Sequence, residues 1–407
     1  MNPFLTSVLC GTFWCLVQVI AALPWLAAVD PQTFRSALRK PVNWAIAVGT
    51  CVALGIALAL FVRIVQDASR LVIWGKAYGA ILHAQLTVDC FCLVFPLLML
   101  FWPRGTAVAL AAFREGVRQP MFWLITAFAG GIMLISPFVP YFTFGEDFKM
   151  VREIGYNIIM LAGVLFGVLA ASLSISEEIE GRTAITVMSK PVSRRQFLLG
   201  KYVGILLASL LMIGLLGWVF NGVMWFELFY DRDAAQDIVD PAWVNQARLA
   251  WAEKIPDPAL NFSLGALMWL DFSMQSLPAL AFAGCQTMVL LAIAVALATR
   301  LPFIVTFVTC VVIFFLGHLT HVLVTVSAGR LALGSRGMGL VNFMAKLFDN
   351  VLPGLDYFDL GALLARDVPP DQSTFFAYVG SVTGYAVLYS IIALLFGLIL
   401  FEDRDLA

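Results

Sequence analysis

The sequence predicts an all-α integral membrane protein, and two observations carry that prediction. Of its 407 residues 61% are hydrophobic and 13% charged, and apolar runs of about 20 residues, the length that crosses some 30 Å of hydrocarbon as a helix, recur from end to end. The mean hydropathy of +0.91 suits a chain far more apolar than a soluble domain, in which roughly 45–50% of residues are apolar. A formal net charge of -1 supplies no long-range attraction to nucleic acid or to an acidic substrate, so partners are sought in local charge patches.

Taken in order, three runs near 5–29, 42–62 and 80–102 open the chain, and six follow at about 121–142, 155–175, 202–225, 276–299, 302–326 and 376–401. No charge precedes Asp30, so the first run lacks the basic segment of a cleavable signal and is expected to stay as a span. The seven cysteines, Cys10, Cys15, Cys51, Cys90, Cys92, Cys285 and Cys310, all stand inside apolar stretches. They read as small buried hydrophobes and not as a disulfide framework.

Lys and Arg in short loops set orientation. Residues 176–201 carry Arg182, Lys190, Arg194, Arg195 and Lys201, and the segment before the span at 121 carries Arg104, Arg114 and Arg118. Both are expected on the cytoplasmic side, with an even number of spans between them. Segment 226–275, where eight acids outnumber Arg232, Arg248 and Lys254, is expected outside. Within it Val244, Ala247, Trp251 and Ile255 recur at helical spacing between two prolines, which predicts a short amphipathic helix resting on the membrane. A second outer segment, 327–375, contains the breakers Pro353, Gly354, Pro369 and Pro370. The loops at 30–41, 63–79 and 102–120 each hold three basic residues, and they cannot all be cytoplasmic if each run between them spans. Either the loop around Arg63 and Arg70 lies outside, with the amino terminus, or one run only dips into the bilayer.

The densest charge reads "SISEEIEGRTAITVMSKPVSRRQFLLGK" from Ser174 to Lys201. Three acids, Glu177, Glu178 and Glu180, precede a break at Gly181; a second break follows at Pro191, which cannot continue a preceding helix. A short helix between the breaks is expected. Ser193 stands three residues before Gln196, the spacing of a capping box, so the next span is expected to start there. Arg194 and Arg195 in its first turn oppose the helix dipole at about 0.3–1 kcal/mol each. Lipid phosphates or an acidic protein partner would compensate them.

The order of residues in this stretch, acids, Gly181-Arg182-Thr183, a short apolar segment, then "SKPVSRRQFLLGKYVG" from Ser189, resembles the cytoplasmic loop between the second and third spans of ABC-2 type transporter permeases. The resemblance extends over about 106–407: "AVALAAFREGVRQPMFW" is similar to the family's amphipathic elbow helix, with Arg114, Glu115 and Arg118 on its polar side, and "LFDNVLPGLDYFDL" to an outer segment of one branch. It implies a six-span core over 106–407 and leaves 1–105 as an amino-terminal extension of about three spans. It also implies a coupling surface made of Glu177, Glu178, Glu180, Gly181, Arg182, Thr183, Ser189, Lys190, Pro191, Ser193, Arg194 and Arg195, docking on a cytoplasmic ATPase subunit, and a second permease subunit, identical or related, in a plasma (inner) membrane.

A phosphate-cradling loop needs Gly, four residues, then Gly-Lys-Ser/Thr. Gly75-Lys76 and Gly200-Lys201 are followed by Ala77 and Tyr202, so no cofactor is expected in this chain, and ATP and magnesium are assigned to the partner. The chain is therefore not expected to be an enzyme. His318 and His321, at i and i+3, have no nearby acid or thiol to complete a metal site and read as interfacial histidines. His83, Gln85 and Asp89 with Cys90 and Cys92 form a polar group at the start of the third run, where a proton or metal role competes with a place at the interface. Gly163 and Gly167, and Gly380 and Gly384, are small-residue faces for helix packing, within the chain or between subunits.

Two other classes compete with a permease. An ion-driven secondary transporter would need charged relay residues near the midplane, where the core spans offer only Asn157 and Asn221. A cofactor-bearing membrane enzyme would rest on His83, Asp89 and the two cysteines beside them. The substrate leaves no motif.

Overall fold

A computed structural model describes residues 3–65, 67–139, 147–180, 193–230, 242–332, 338–359 and 372–402. The described residues form thirteen α-helices and two short 3-10 turns, without a strand. In chain order the helices are α1 (Pro3–Val29), α2 (Pro31–Leu38), α3 (Pro41–Val65), α4 (Ala68–Phe101), α5 (Pro103–Arg118), α6 (Pro120–Ile135), α7 (Asp147–Glu180), α8 (Arg194–Tyr230), α9 (Ala242–Ala252), α10 (Asp257–Ala298), α11 (Phe303–Ala332), α12 (Met338–Val351) and α13 (Gln372–Glu402).

Eight helical stretches are long and apolar enough to cross a membrane: α1, α3, α4, Pro120–Phe138, and most of α7, α8, α10 and α13. The run expected at 302–326 is helical as α11, with Phe303–Leu319 as its shorter apolar stretch. This is an all-α, multi-pass membrane protein.

Proline sets many of the boundaries. It stands at the first position of α1, α2, α3, α5 and α6, where its missing N–H costs nothing and its fixed φ suits a helix start. At α2 the preceding Asp30 adds a side-chain cap: its Oδ1 accepts from the backbone N–H of Gln32 at 3.2 Å and of Thr33 at 3.0 Å, and its Oδ2 from the Thr33 hydroxyl at 2.6 Å.

The helices also run further than the apolar runs that betray them. The third helix begins at Ala68, not near residue 80, and the helix expected from 276 begins at Asp257. The added stretch of α10 carries Asn261, Ser263, Asp271, Ser273 and Gln275, which lower its hydropathy, yet several of these polar groups are satisfied. Ser263 accepts from Trp14 Nε1 at 2.9 Å, and Ser273 accepts from Asn221 Nδ2 at 2.8 Å.

Packing falls into two units: residues 1–97 with 221–277, and residues 98–220 with 278–407. In the first, glycines bring backbones together. A Cβ on Gly11 would lie 2.6 Å from the Gly55 carbonyl oxygen, and one on Gly75 only 2.1 Å from that of Phe262. Around these approaches Trp14, Val62, Leu71, Ala259, Phe262 and Ala266 form a buried core. The predicted amphipathic helix is α9, and its apolar side packs on α10. Val244 is fully buried against Leu260 and Leu264, with Trp251 and Ile255 beside them.

His83, Gln85 and Asp89 all lie on α4 in this unit. His83 Nδ1 shares a hydrogen bond with Ser273 Oγ, Gln85 accepts from the Gln18 amide of α1, and Asp89 is buried. Cys51 is buried, whereas Cys90 is exposed, contrary to the expectation that every cysteine is covered. The apolar stretch around Cys90 turns that position outward from its own helices.

Candidate coupling site

In the second unit the end of α7, the start of α8, the helix α5 and the end of α13 meet. Residues 181–192 separate α7 from α8, and with them Gly181, Arg182, Thr183, Ser189, Lys190 and Pro191 lie outside the described residues. The flanks are described. α7 is described as far as Glu180, and α8 opens immediately after Ser193.

The predicted capping box is formed in both directions. The backbone N–H of Gln196 donates to Ser193 Oγ at 3.2 Å, and the backbone N–H of Ser193 donates to Gln196 Oε1 at 3.1 Å. Two donors that an α-helix start leaves orphaned are thereby satisfied.

Arg194 and Arg195 both find partners within the chain. The Arg194 guanidinium donates through Nη1 to the carbonyl oxygens of Phe401 at 3.1 Å and Glu402 at 2.9 Å. Arg195 pairs through Nη2 with the Glu402 carboxylate at 2.9 Å. Arg300 adds a bond from Nε to the Leu400 carbonyl at 2.8 Å. Three arginines thus gather on the last turn of α13, where unpaired carbonyls and the negative end of the dipole favour cations. Contacts to the negative end of α13 offset the penalty read from sequence. Beneath them Phe197 and Phe401, both fully buried, stack with centroids 6.1 Å apart.

The acids at the end of α7 divide. Glu178 turns inward and meets Lys201 Nζ at 2.6 Å; Lys201 also reaches Ser174 Oγ at 2.7 Å and Glu115 Oε2 at 3.2 Å. Glu177 is exposed. Acids in the last turn of a helix oppose its dipole. The ammonium of Lys201 answers Glu178, and Glu177 faces outward.

The amphipathic helix α5 packs as its sequence suggests. Arg114, Glu115 and Arg118 are exposed, while Gly105, Ala109, Ala112 and Gly116 form a buried stripe of small residues. That stripe lies on a glycine pair that the sequence reading passed over, Gly200 and Gly204 of α8. A Cβ on Gly204 would stand 2.3 Å from the Ala109 carbonyl oxygen, and one on Gly200 2.8 Å from Val108 Cβ. The signal was present as Gly-x-x-x-Gly in "GKYVG", the spacing that lets two helix backbones touch.

Of the two glycine faces that were singled out, Gly163 and Gly167 are packed in the chain. Their Cβ positions would meet Ile213 at 2.8 Å and Ser209 Oγ at 3.0 Å. Gly380 and Gly384 meet no described atom within 4 Å, so that face of α13 packs against nothing in the described chain. His318 is held by Phe314 and Gln286: its Nδ1 lies 2.9 Å from the Phe314 carbonyl and its Nε2 3.3 Å from Gln286 Nε2.

Residues 117–233 match the family model described as ABC-2 family transporter protein. No curated protein matches the chain. The matched residues run from the last turn of α5 through α6, α7 and α8, and so include the whole charged stretch with both of its helical flanks. The match covers the segment that carries the candidate site and supports the reading of this multi-pass membrane chain as an ABC-2 type permease.

Proposed function

We propose that this chain is the membrane-spanning subunit of an ATP-driven ABC-2 type exporter, and that residues 176–201 dock on a separate cytoplasmic ATPase subunit. The observation that carries the reading is the charge arrangement at the two helix ends flanking 181–192. Arg194, Arg195 and Glu178 are answered inside the chain, which leaves the exposed Glu177 as the described acid available to an outside cation.

Hydrolysis belongs to the partner, since this chain has no phosphate-cradling motif. Movement of the ATPase subunits on binding nucleotide and magnesium would displace 181–192, and through it α7 and α8. A second permease subunit would complete the path, and the site would lie on the cytoplasmic face of a plasma (inner) membrane, consistent with its basic residues.

The test is purification of the intact chain from its native membrane. The reading expects an ATP-hydrolysing polypeptide to accompany it in stoichiometric amount, and expects the chain freed of that polypeptide to show no turnover. Turnover by the isolated chain, abolished by a substitution within it, would overturn the assignment.

A further inference from the structure

The structure assigns Lys201 a part that its place in a charge count does not suggest. It is a positioning residue that fastens α5 to both helix ends flanking residues 181–192, so that displacement of that segment moves three helices as one body. The inference rests on the reading of this region as a coupling site.

An ammonium group has three N–H donors and no acceptor. Each donor of Lys201 has a partner, and the partners come from two other helices: Glu178 and Ser174 on α7, and Glu115 on α5. The Lys201 side chain is only 6% exposed, whereas those of Glu178 and Glu115 are 25% and 47% exposed. Lysine is almost never withdrawn this far unless paired, and removing one partner of such a group leaves a charge without compensation. This is therefore not a solvated ion pair that forms and breaks at little cost.

Its place on α8 explains the reach. Gly200 precedes it and Gly204 follows one turn behind, and both let the α5 backbone come into contact with α8. A lysine at this position can span the junction without leaving the protein. Glu178 stands two residues before the last described residue of α7, and Lys201 is the eighth residue of α8. The clamp therefore sits on the two flanks through which any motion of 181–192 must pass. A network that joins elements with few alternative arrangements is what carries coupling between sites.

The experiment uses Lys201→Met, close to lysine in length and without charge, in the full chain. Backbone amide exchange over 105–116 in the purified chain is expected to rise, since α5 loses its ionic tie; unchanged exchange refutes the clamp whether or not a partner is present. With the ATP-hydrolysing subunit that accompanies the wild-type chain, binding is expected to stay within about twofold, because the Lys201 side chain is withdrawn from the docking surface and the exposed Glu177 is untouched. Stimulation of its ATP turnover is expected to fall about tenfold.

A second variant separates coupling from folding. In the Lys201→Met background, a disulfide between Val108→Cys and Gly200→Cys joins α5 to α8 by another route. Their Cβ positions lie 2.8 Å apart, so the helices must part by about 1 Å to reach disulfide geometry. Oxidation is expected to restore stimulation and reduction to remove it. Wild-type stimulation by Lys201→Met, loss of subunit binding, or failure of the disulfide to restore coupling would each overturn the proposal. A wild-type chain that brings no ATP-hydrolysing subunit would instead defeat the underlying reading and leave the exchange result to judge the clamp.

Discussion

Adding one methyl group at two positions of the same helix should give opposite results. At Gly204 a Cβ would lie 2.3 Å from the Ala109 carbonyl oxygen and 2.7 Å from Ala112 Cβ. The first of these is backbone and cannot rotate away, so α5 must lift from α8. Overpacking of this kind costs about 1–3 kcal/mol, and here it also opens the stripe of Gly105, Ala109 and Ala112. At Gly222, further along α8, a Cβ would meet nothing within 4 Å, so Gly222→Ala gains helix propensity and loses backbone freedom in the unfolded chain, a stabilisation of about 0.4–1 kcal/mol. Equilibrium unfolding of each variant in mixed micelles measures the difference. Gly204→Ala should be less stable than wild type, with faster amide exchange over 105–116, and Gly222→Ala equal or more stable. A Gly204→Ala protein as stable as wild type would refute the close approach of α5 and α8.

Three further outcomes are expected. Arg194→Ala should fray the last turn of α13, raising amide exchange at 398–402 at a cost of about 0.3–1 kcal/mol; exchange confined to α8 would show that the contact contributes nothing. The hydroxyl and backbone N–H of Thr33 hold the Asp30 carboxyl below the usual carboxylate range. A depressed folded value means that the cap's contribution is present above about pH 4 and is lost as pH falls through the lower, folded value. Amide protection in α2 should therefore persist through the usual carboxylate range and fade only as pH falls through the lower, folded value, and Asp30→Ala should abolish that dependence. Single cysteines at Ser189 and Ala234 should react with an impermeant thiol reagent from opposite sides of the membrane; reaction of both from outside would contradict the orientation read from charge.

Local features were legible in the sequence and long-range ones were not. Ser193 and Gln196 announce a capping box because the whole device lies within four residues. The start of α10 was missed because its polar residues lower hydropathy, and Trp14 and Asn221, their partners, are 249 and 52 residues away. Arg194 and Arg195 could be seen to oppose their own dipole, but the end of α13 that answers them is 207 residues on, and only folding reveals it. Lys201 was one basic residue among five until the structure set it beside Glu115, 86 positions earlier in the chain. Glu178 changed meaning in the same way, from an acid facing a partner to the clamp's closest contact.

The central claim, that the stretch around 181–192 docks on an ATPase subunit, is tested most directly at Glu177, the exposed acid whose charge the chain does not use in any contact described above. The measurement is the affinity of Glu177→Lys for the ATP-hydrolysing subunit that accompanies the wild-type chain, with thermal stability recorded alongside. Reversing a charge desolvated at an interface costs about 2–5 kcal/mol, or roughly 30-fold to several thousandfold in affinity, whereas a merely solvated acid contributes about 0–1 kcal/mol. The account predicts a loss within the larger range at unchanged stability. Wild-type affinity in a stably folded Glu177→Lys protein would contradict it.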